Sequence, residues 1–328
     1  MFNFGEFLDF SGLIAGLGLF LFGMNQLEAS LEVLAGRGFR RFLKVSTANP
    51  VRSVAGGIVA TVIVQSSSLV GLIVLALVGA GVIPLANAIG VVIGSNLGTT
   101  FTGWVVTAIG FKMDFTVAIY PMLAVGGIGY GMLGGKWRAA SQLLIGFALL
   151  LMGLSFMKDS VEMLTQHADL NILSEYPLIA FFIAGMVFTA IIQSSSATMM
   201  LTLSALNADI VSLPAAAAIV IGADLGTTST VLLGSVQGAV IKRRVAAAHV
   251  LFNGIVDMVA FMALVPLLKV IQLLDITDPL YSLVMFSLII IVGVLTGLEV
   301  PLLTRLLEGK NNLKTNLSVV LSVDYFGA

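Results

Sequence analysis

Long apolar stretches limit what this chain can fold into more than any other feature of its sequence. Seven of them can cross a hydrocarbon layer of about 30 Å as helices that rise about 1.5 Å per residue. They lie near residues 8–34, 86–108, 115–133, 139–157, 213–236, 245–268 and 280–304. Only 10% of the 328 residues are charged, against about 25% in soluble domains. The sequence therefore predicts an all-α polytopic membrane protein, which excludes a soluble enzyme and a nucleic-acid-binding protein.

Two further apolar stretches, at about 50–82 and 177–207, are interrupted in the middle by polar residues. Some 16 residues lead from Pro50 to Gln65, and about as many from Pro177 to Gln193. This length is short for a helix that spans a bilayer. We therefore predict that each stretch enters the membrane and returns on the same side as a re-entrant helical hairpin.

The chain contains an internal repeat with an offset of 128 residues. Thr61–Thr100 and Thr189–Thr228 share 17 identical residues in 40 positions, and each copy consists of one span, one hairpin and two more spans. Three crossings are an odd number, so the second copy is expected to be inverted, an arrangement typical of secondary transporters. We assign the first inverted repeat to 8–133, the second to 139–268, an extra transmembrane helix to 280–304 and a short cytoplasmic tail to 305–328.

The distribution of basic residues predicts the orientation in the membrane. With the N-terminus outside, only Lys112, Lys158 and Lys269 of the 16 Lys and Arg residues fall on the outer side. Basic residues concentrate on the cytoplasmic side of membrane proteins. We therefore expect a multi-pass protein of the cell inner membrane with a cytoplasmic C-terminus. The sequence has no cysteine, which excludes disulfides and thiolate metal sites.

The polar interruptions have the same sequence, Gln-Ser-Ser-Ser, in both copies. Hydroxyl and amide groups without partners cost several kcal/mol each in hydrocarbon. If each cluster is a hairpin tip, the serines can cap the returning half-helix, whose free N–H groups can bind a small anion. Carbonyl ends and Gln side chains suit a small cation such as sodium. Single serines in membrane helices usually bond to their own backbone, but recurrence at both tips favours a ligand site.

A second repeated element, Gly-x-(Asn or Asp)-Leu-Gly-Thr-Thr, ends at Thr100 in the first copy and at Thr228 in the second. Its glycines permit close approach of the backbone, and its threonines supply oxygens. No Lys or Arg falls in the predicted midplane, so a bound anion would need cations to neutralise it. Moving a divalent anion into a cell at about −100 mV costs roughly 4.6 kcal/mol, which two or three sodium ions would offset. The identity of the anion does not follow from the pattern.

Several motifs together carry a family resemblance. They are Leu21–Met24 (LFGM), the basic loop after it, Asn49-Pro50, both Gln-Ser-Ser-Ser clusters, both Gly-x-(Asn or Asp)-Leu-Gly-Thr-Thr elements, and His249 with Phe252 and Asn253. Over about residues 10–265 the chain resembles the type II sodium–phosphate cotransporter family in its bacterial form. The resemblance implies a secondary active transporter, not an enzyme. It implies sodium-coupled symport of inorganic phosphate into the cell by alternating access, with no organic cofactor.

The resemblance also implies the residues of the site. Phosphate would be bound between the two hairpin tips by Gln65, Ser66, Ser67, Ser68, Gln193, Ser194, Ser195 and Ser196. Sodium would be bound by Gln65, Asn96, Thr99, Thr100, Gln193, Ser194, Asp224, Thr227, Thr228 and Thr230. Further candidates are His249 and Asn253. The partners are phosphate, sodium and the lipid bilayer, and the sequence leaves a homodimer open.

The second copy departs from the family pattern at Asp224, where the family usually has Asn. This carboxylate can be a stronger sodium ligand, a group that brings in proton coupling, or a capping residue, and intramembrane carboxylates are functional by default. Pro121 occupies the position of His249 in the first copy, so the two halves differ chemically. Asp257, in the last span of the second copy, is open to the same interpretations as Asp224.

Three rival functions follow from the same residues. An intramembrane serine hydrolase would need a base, and His249 occurs once for two serine clusters, which fits nucleophilic catalysis poorly. A channel would use the tips as a filter, whereas hairpins that enter from opposite faces favour alternating access. A proton-coupled or sodium-coupled carrier of another oxyanion, such as arsenate or sulfate, is the main alternative for the substrate.

Overall fold

The computed structural model describes residues 4–47, 49–110, 116–167, 175–236 and 238–297, and every regular element in these ranges is helical. The helices are α1 (Phe4–Ser46), α2 (Pro50–Val64), α3 (Ser67–Gly79), α4 (Leu85–Val105), α5 (Thr116–Met132), α6 (Gly135–His167), α7 (Leu178–Ile192), α8 (Ser195–Asn207), α9 (Leu213–Ser235), α10 (Val240–Met262), α11 (Leu264–Leu273) and α12 (Pro279–Gly297). A π-helical turn at Val106–Gly110 continues α4.

Five helices in the described ranges are long and apolar enough to cross a membrane. Their membrane segments are Ser11–Leu34, Leu85–Ala108, Gly135–Ser160, Leu213–Ser235 and Val240–Met262. Large hydrophobic side chains on their surfaces, such as Phe22 and Leu233, are more than half exposed. In a polytopic membrane protein such residues contact lipid. The prediction of an all-helical polytopic membrane protein is confirmed.

The predicted span at 245–268 is wrong in its bounds. Helix α10 starts at Val240, ahead of the basic residues Lys242, Arg243 and Arg244, and ends at Met262. The chain turns at Ala263 and continues as α11. Pro266 explains the break, because its ring would clash with the Met262 carbonyl in a continuous helix.

Two other predicted spans are shorter in the described residues. The segment predicted at 115–133 forms α5, which has 17 residues with Pro121 inside it. The segment predicted at 280–304 begins as α12, and residues 298–304, like the predicted tail at 305–328, lie outside the described residues.

Each polar cluster breaks a helix in the same way. The first half-helix ends at a left-handed glutamine, Gln65 with φ 56° and ψ 21° and Gln193 with φ 57° and ψ 26°. The next residue, Ser66 or Ser194, is the N-cap of the second half-helix and accepts a hydrogen bond from the N–H three residues later. The serines therefore have the capping geometry that the sequence predicts.

Helix α3 runs back toward the end at which α2 begins. Helices α2 and α4 are parallel, since Gly94 contacts Val54 and Thr102 contacts Gln65 further along the same pair. The start of α4 lies beside the start of α2, where Asn87 Nδ2 donates to the carbonyl of Thr47 (2.5 Å). The chain reaches Gln65 through α2 and must return through α3 to begin α4.

The second cluster repeats this arrangement. Helix α9 runs parallel to α7, because Gly222 contacts Phe182, Gly226 contacts Met186 and Thr230 contacts Gln193. Helix α8 therefore returns toward the start of α7. Small residues allow the two backbones of each pair to touch, as is common between membrane helices.

The two halves also contact each other directly. Helix α3 lies along the last turns of α9, with Ser68 beside Thr230, Gly71 beside Val231 and Leu72 beside Gly234. Because α3 is antiparallel to α4 and parallel to this part of α9, helices α4 and α9 run in opposite directions.

The long helices α1 and α6 are antiparallel and pack through glycines. Gly16 lies against Gly153, and Gly23 lies against Gly146 and Leu150. Gln142 Nε2 of α6 donates to Gln26 Oε1 of α1 (2.8 Å). The pair forms one side of the helical bundle.

Candidate functional site

A cavity lies where α4, α8, α9, α10 and α12 meet. Its polar lining consists of Asn96, Thr99, Thr100, Thr102, Ser195, Ser196, Asp224, Asp257 and Ser287, and its lining contains no Lys, Arg or His. Met199 and Ile221 are among the apolar residues that complete it. A small pocket with apolar walls and a few convergent polar groups is the usual form of a ligand site.

The first tip is attached to α4 through its glutamine. Thr102 Oγ1 donates to Gln65 Oε1 (2.8 Å), and Gln65 Nε2 donates back to the carbonyl of Val62 in α2 (2.6 Å). Both polar ends of Gln65 are therefore occupied, and the left-handed turn that it forms is held in place.

The second tip is attached to α9 in the same manner. Thr230 Oγ1 donates to Gln193 Oε1 (2.6 Å), and Gln193 Nε2 donates to Ser229 Oγ (3.0 Å). Thr230 also lies 3.4 Å from Ser68 Oγ, across the interface between the two halves. Thr230 thus joins one tip to the first turn of the other returning half-helix.

The threonine pairs that follow the glycines bond to their own helices. Thr99 and Thr100 donate to the carbonyls of Ser95 and Leu97, and Thr227 and Thr228 do the same in α9. Their hydroxyl protons are occupied, and their oxygen lone pairs remain available as acceptors. Thr99 and Thr100 line the cavity, whereas Thr227 and Thr228 are buried and are not among its lining residues.

Asn253 connects the two mirrored positions of the repeat. Its Oδ1 accepts from Asn96 Nδ2 (2.8 Å), and its Nδ2 donates to the backbone carbonyl of Asp224 (3.1 Å). Asn253 is fully buried, so this bridge fixes α4 and α9 relative to α10. The Asp224 side chain is left to face the cavity.

His249 does not reach the cavity lining. The side chain is buried, and neither ring nitrogen has a hydrogen-bond partner among the described residues. Ser66 and Ser194 cap helices, Ser195 and Ser196 line the cavity, and Ser68 lies beside Thr230. No hydrogen bond among the described residues pairs His249 with a serine.

The structure brings to this region four residues that the predicted site does not include. Thr102, Asp257 and Ser287 line the cavity, and Glu28 of α1 lies within hydrogen-bonding reach of Ser66. Thr102 is the equivalent of Thr230 at the offset of 128, so the repeat itself could have identified it. Acidic residues inside predicted spans were the signal for Glu28 and Asp257.

Thr230→Val is expected to lower the midpoint of thermal unfolding of the purified protein by several degrees. The change leaves Oε1 of the half-buried Gln193 without its donor, and loss of such a hydrogen bond costs about 0.5–1.5 kcal/mol. Thr228→Val is the matched control, because Thr228 donates only to a carbonyl within its own helix. Equal midpoints for the two variants would contradict a structural role for the bond between Thr230 and Gln193.

Comparison with known proteins shows that the chain matches a protein family. The profile of the family described as Na+/Pi-cotransporter matches the chain in two segments, residues 19–159 and 166–296. The two matched segments together cover most of the chain. No solved structure matches the chain.

Three relatives illustrate the range of the similarity. The Bacillus subtilis "Uncharacterized protein YqeW" is 32% identical over 250 residues, which are 75% of this chain and 78% of that protein. The "Putative inorganic phosphate export protein YjbB" of Escherichia coli K12 is 28% identical over 247 residues, 74% of this chain and 44% of that protein. The rabbit "Sodium-dependent phosphate transport protein 2A" is 32% identical over 107 residues, 31% of this chain and 17% of that protein. The chain thus spans less than half the length of YjbB.

Proposed function

Because this chain belongs to the Na+/Pi-cotransporter family, we propose that it is a secondary transporter that carries inorganic phosphate with sodium into the cell. The family is one of transporters, and the helices establish a multi-pass membrane protein. The pair of matching tips is the observation that supports sodium-coupled uptake of phosphate. Each has a left-handed glutamine held by a threonine of a crossing helix, followed by a serine that caps the returning half-helix.

Alternating access in this proposal rests on two inverted repeats. The opposite directions of α4 and α9, and the antiparallel pairing of α1 with α6, support an inverted relation between the two halves. In such a relation α2 and α7 enter from opposite faces, and the tips meet near the midplane. The distribution of basic residues supports an N-terminus outside and a cytoplasmic C-terminus, and we propose that the protein lies in the cell inner membrane.

Phosphate is bound by the two serine clusters. The first amides of α3 and α8 have no partners within their own helices, and the N-terminal end of a helix carries a partial positive charge. Ser195 and Ser196 supply hydroxyls to the cavity wall from the second tip. Serine hydroxyls and backbone amides therefore serve as the anion ligands in place of basic side chains.

Sodium compensates the charge that the site itself does not neutralise. Because the cavity lining has no basic residue, a divalent phosphate needs cations or dipoles beside it. Oxygens of the glutamines, of Asn96 and of the threonines are hard ligands suited to sodium, and Asp224 adds a carboxylate. The inward sodium gradient and the membrane potential then drive accumulation.

Phosphate export is the second candidate. The similarity to YjbB, which is named a putative phosphate export protein, favours it, and a coupled carrier runs in the direction that its gradients set. Another oxyanion, such as arsenate or sulfate, is an alternative substrate for the same donors.

Reconstitution in liposomes tests the proposal. Radiolabelled phosphate is expected to accumulate with an inward sodium gradient and not with a potassium gradient, and excess arsenate is expected to compete. Reversing the sodium gradient with phosphate loaded inside tests efflux in the same vesicles. Phosphate uptake driven by an acid exterior without sodium would contradict sodium coupling. Absence of phosphate transport under all of these gradients would show that phosphate is the wrong substrate.

A further inference from the structure

Asp257 is a buried carboxylate to which the proposed transport site gives no task. Its side chain is 1% exposed, and its Oδ2 atom has no hydrogen-bond partner among the described residues. It lines the cavity together with Asp224, and the two carboxylates interact electrostatically. A carboxylate oxygen that is buried, unpartnered and open to a cavity needs a ligand.

The chemistry of the lining defines what that ligand is. Two carboxylates close together in an apolar surrounding cannot both be charged unless a cation lies between them. No Lys, Arg or His lines the cavity to provide that charge. The remaining polar groups of the lining are the amide of Asn96 and the hydroxyls of Thr99, Thr100, Thr102, Ser195, Ser196 and Ser287. An all-oxygen set with carboxylates is suited to a small hard cation.

The carboxylate pair occurs in one half of the chain only. At the offset of 128 residues, Asp224 corresponds to Asn96 and Asp257 corresponds to Gly129. The hairpin tips occur in both halves of the chain, whereas the pair of carboxylates does not. A cation bound here is therefore additional to ligands that the two tips hold in a symmetric way.

We propose that Asp224 and Asp257 together form a sodium site, separate from the hairpin tips, that adds one sodium ion to each transport cycle. The choice of sodium as the cation rests on the proposed function. The inference deepens that function, because it assigns Asp224 to a site with Asp257 and no longer to the ligands at the tips. Thr99 and Ser287 complete the oxygen shell. Asn253 is a positioning residue, since its bond to the Asp224 backbone holds α9 at this level.

The test measures sodium binding directly and transport separately. Radioactive sodium is titrated onto purified protein without phosphate at constant ionic strength. Wild type is expected to bind one more sodium ion than Asp224→Asn or Asp257→Asn, or to bind it at least about tenfold more tightly. In proteoliposomes, the ratio of sodium to phosphate transported should fall by one in both variants.

Asp275→Asn is the matched control. Asp275 is exposed, lies outside the cavity lining, and has a left-handed backbone (φ 60°) that asparagine also tolerates. Its sodium count and transport ratio should equal those of the wild type. Asparagine already occupies the mirrored position at Asn96, so Asp224→Asn is expected to fold, and gel-filtration profiles check this. If Asp257→Asn does not fold, Asp257→Glu should keep the extra sodium ion.

Three results would overturn the proposal. Unchanged sodium binding and an unchanged transport ratio in both variants would exclude the site. Loss of proton movement in Asp257→Asn, followed with a pH-sensitive dye and with an unchanged sodium count, would make the pair a proton carrier. Displacement of sodium by micromolar calcium would make it a divalent-cation site. Absence of sodium-driven phosphate transport in the wild type would instead refute the proposed function. The binding titration would then still show whether sodium binds at Asp224 and Asp257.

Discussion

Replacing Ser194, Ser195 and Ser196 together by alanine is expected to lower sodium-driven phosphate transport by more than about 100-fold. Hydrogen bonds to charged groups contribute about 1.5–3 kcal/mol each, and about 1.4 kcal/mol corresponds to a factor of ten. Ser195 and Ser196 line the cavity, and Ser194 caps α8. The change therefore removes both the hydroxyl ligands and the cap that orders the anion-binding turn. Initial rates and phosphate affinity in proteoliposomes measure the effect.

Ser212→Ala separates this effect from simple loss of a helix cap. Ser212 is the N-cap of α9 and accepts from the N–H of Ala215, far along the helix from the tips. Its replacement should cost about 1 kcal/mol of stability and leave transport near the wild-type rate. A triple serine variant that transports within about twofold of the wild type would refute phosphate binding at the second tip, since even one charged hydrogen bond contributes more than this factor.

Gly94→Ala and Gly222→Ala are expected to be the most damaging single changes to the fold. A Cβ atom at Gly94 would overlap the carbonyl oxygen of Val54, and one at Gly222 would overlap that of Phe182. Backbone atoms cannot move aside without separating the helices, and overpacking of this kind costs about 1–3 kcal/mol or more. We expect each change to lower the thermal midpoint by about 10 °C and to abolish transport, because the tips are held against α4 and α9.

The control is another glycine on a spanning helix. Gly254 lies in α10, and a Cβ atom there would meet nothing within 4 Å. Gly254→Ala should leave the midpoint unchanged or raise it slightly, because alanine is the better helix former by about 1 kcal/mol. Equal midpoints for Gly94→Ala and Gly254→Ala would mean that α2 and α4 do not pack as closely as described.

Six of the nine polar residues that line the cavity could be predicted from the sequence. Asn96, Thr99, Thr100 and Asp224 belong to the repeated Gly-x-(Asn or Asp)-Leu-Gly-Thr-Thr element, and Ser195 and Ser196 belong to the second polar cluster. The repeat marks such positions because the same local geometry is needed twice. No equivalent signal marks Ser287, since α12 lies outside the repeat.

The sequence by itself determined the features that depend on neighbours along the chain. Apolar length specifies the spans, and a glutamine followed by serines specifies where a helix ends and the next one is capped, because these interactions lie within a few residues of each other. Even here a single proline, Pro266, decided a helix end that the apolar pattern concealed.

Only the tertiary structure decided which side chains meet. The bonds of Thr102 to Gln65 and of Thr230 to Gln193 join residues 37 positions apart, and Asp257 shares a cavity with Asp224 from a different helix. These contacts depend on how far each helix is rotated and how closely it approaches its neighbour. Glycines at the helix crossings determine that approach, and their partners are set by the packing of the whole bundle.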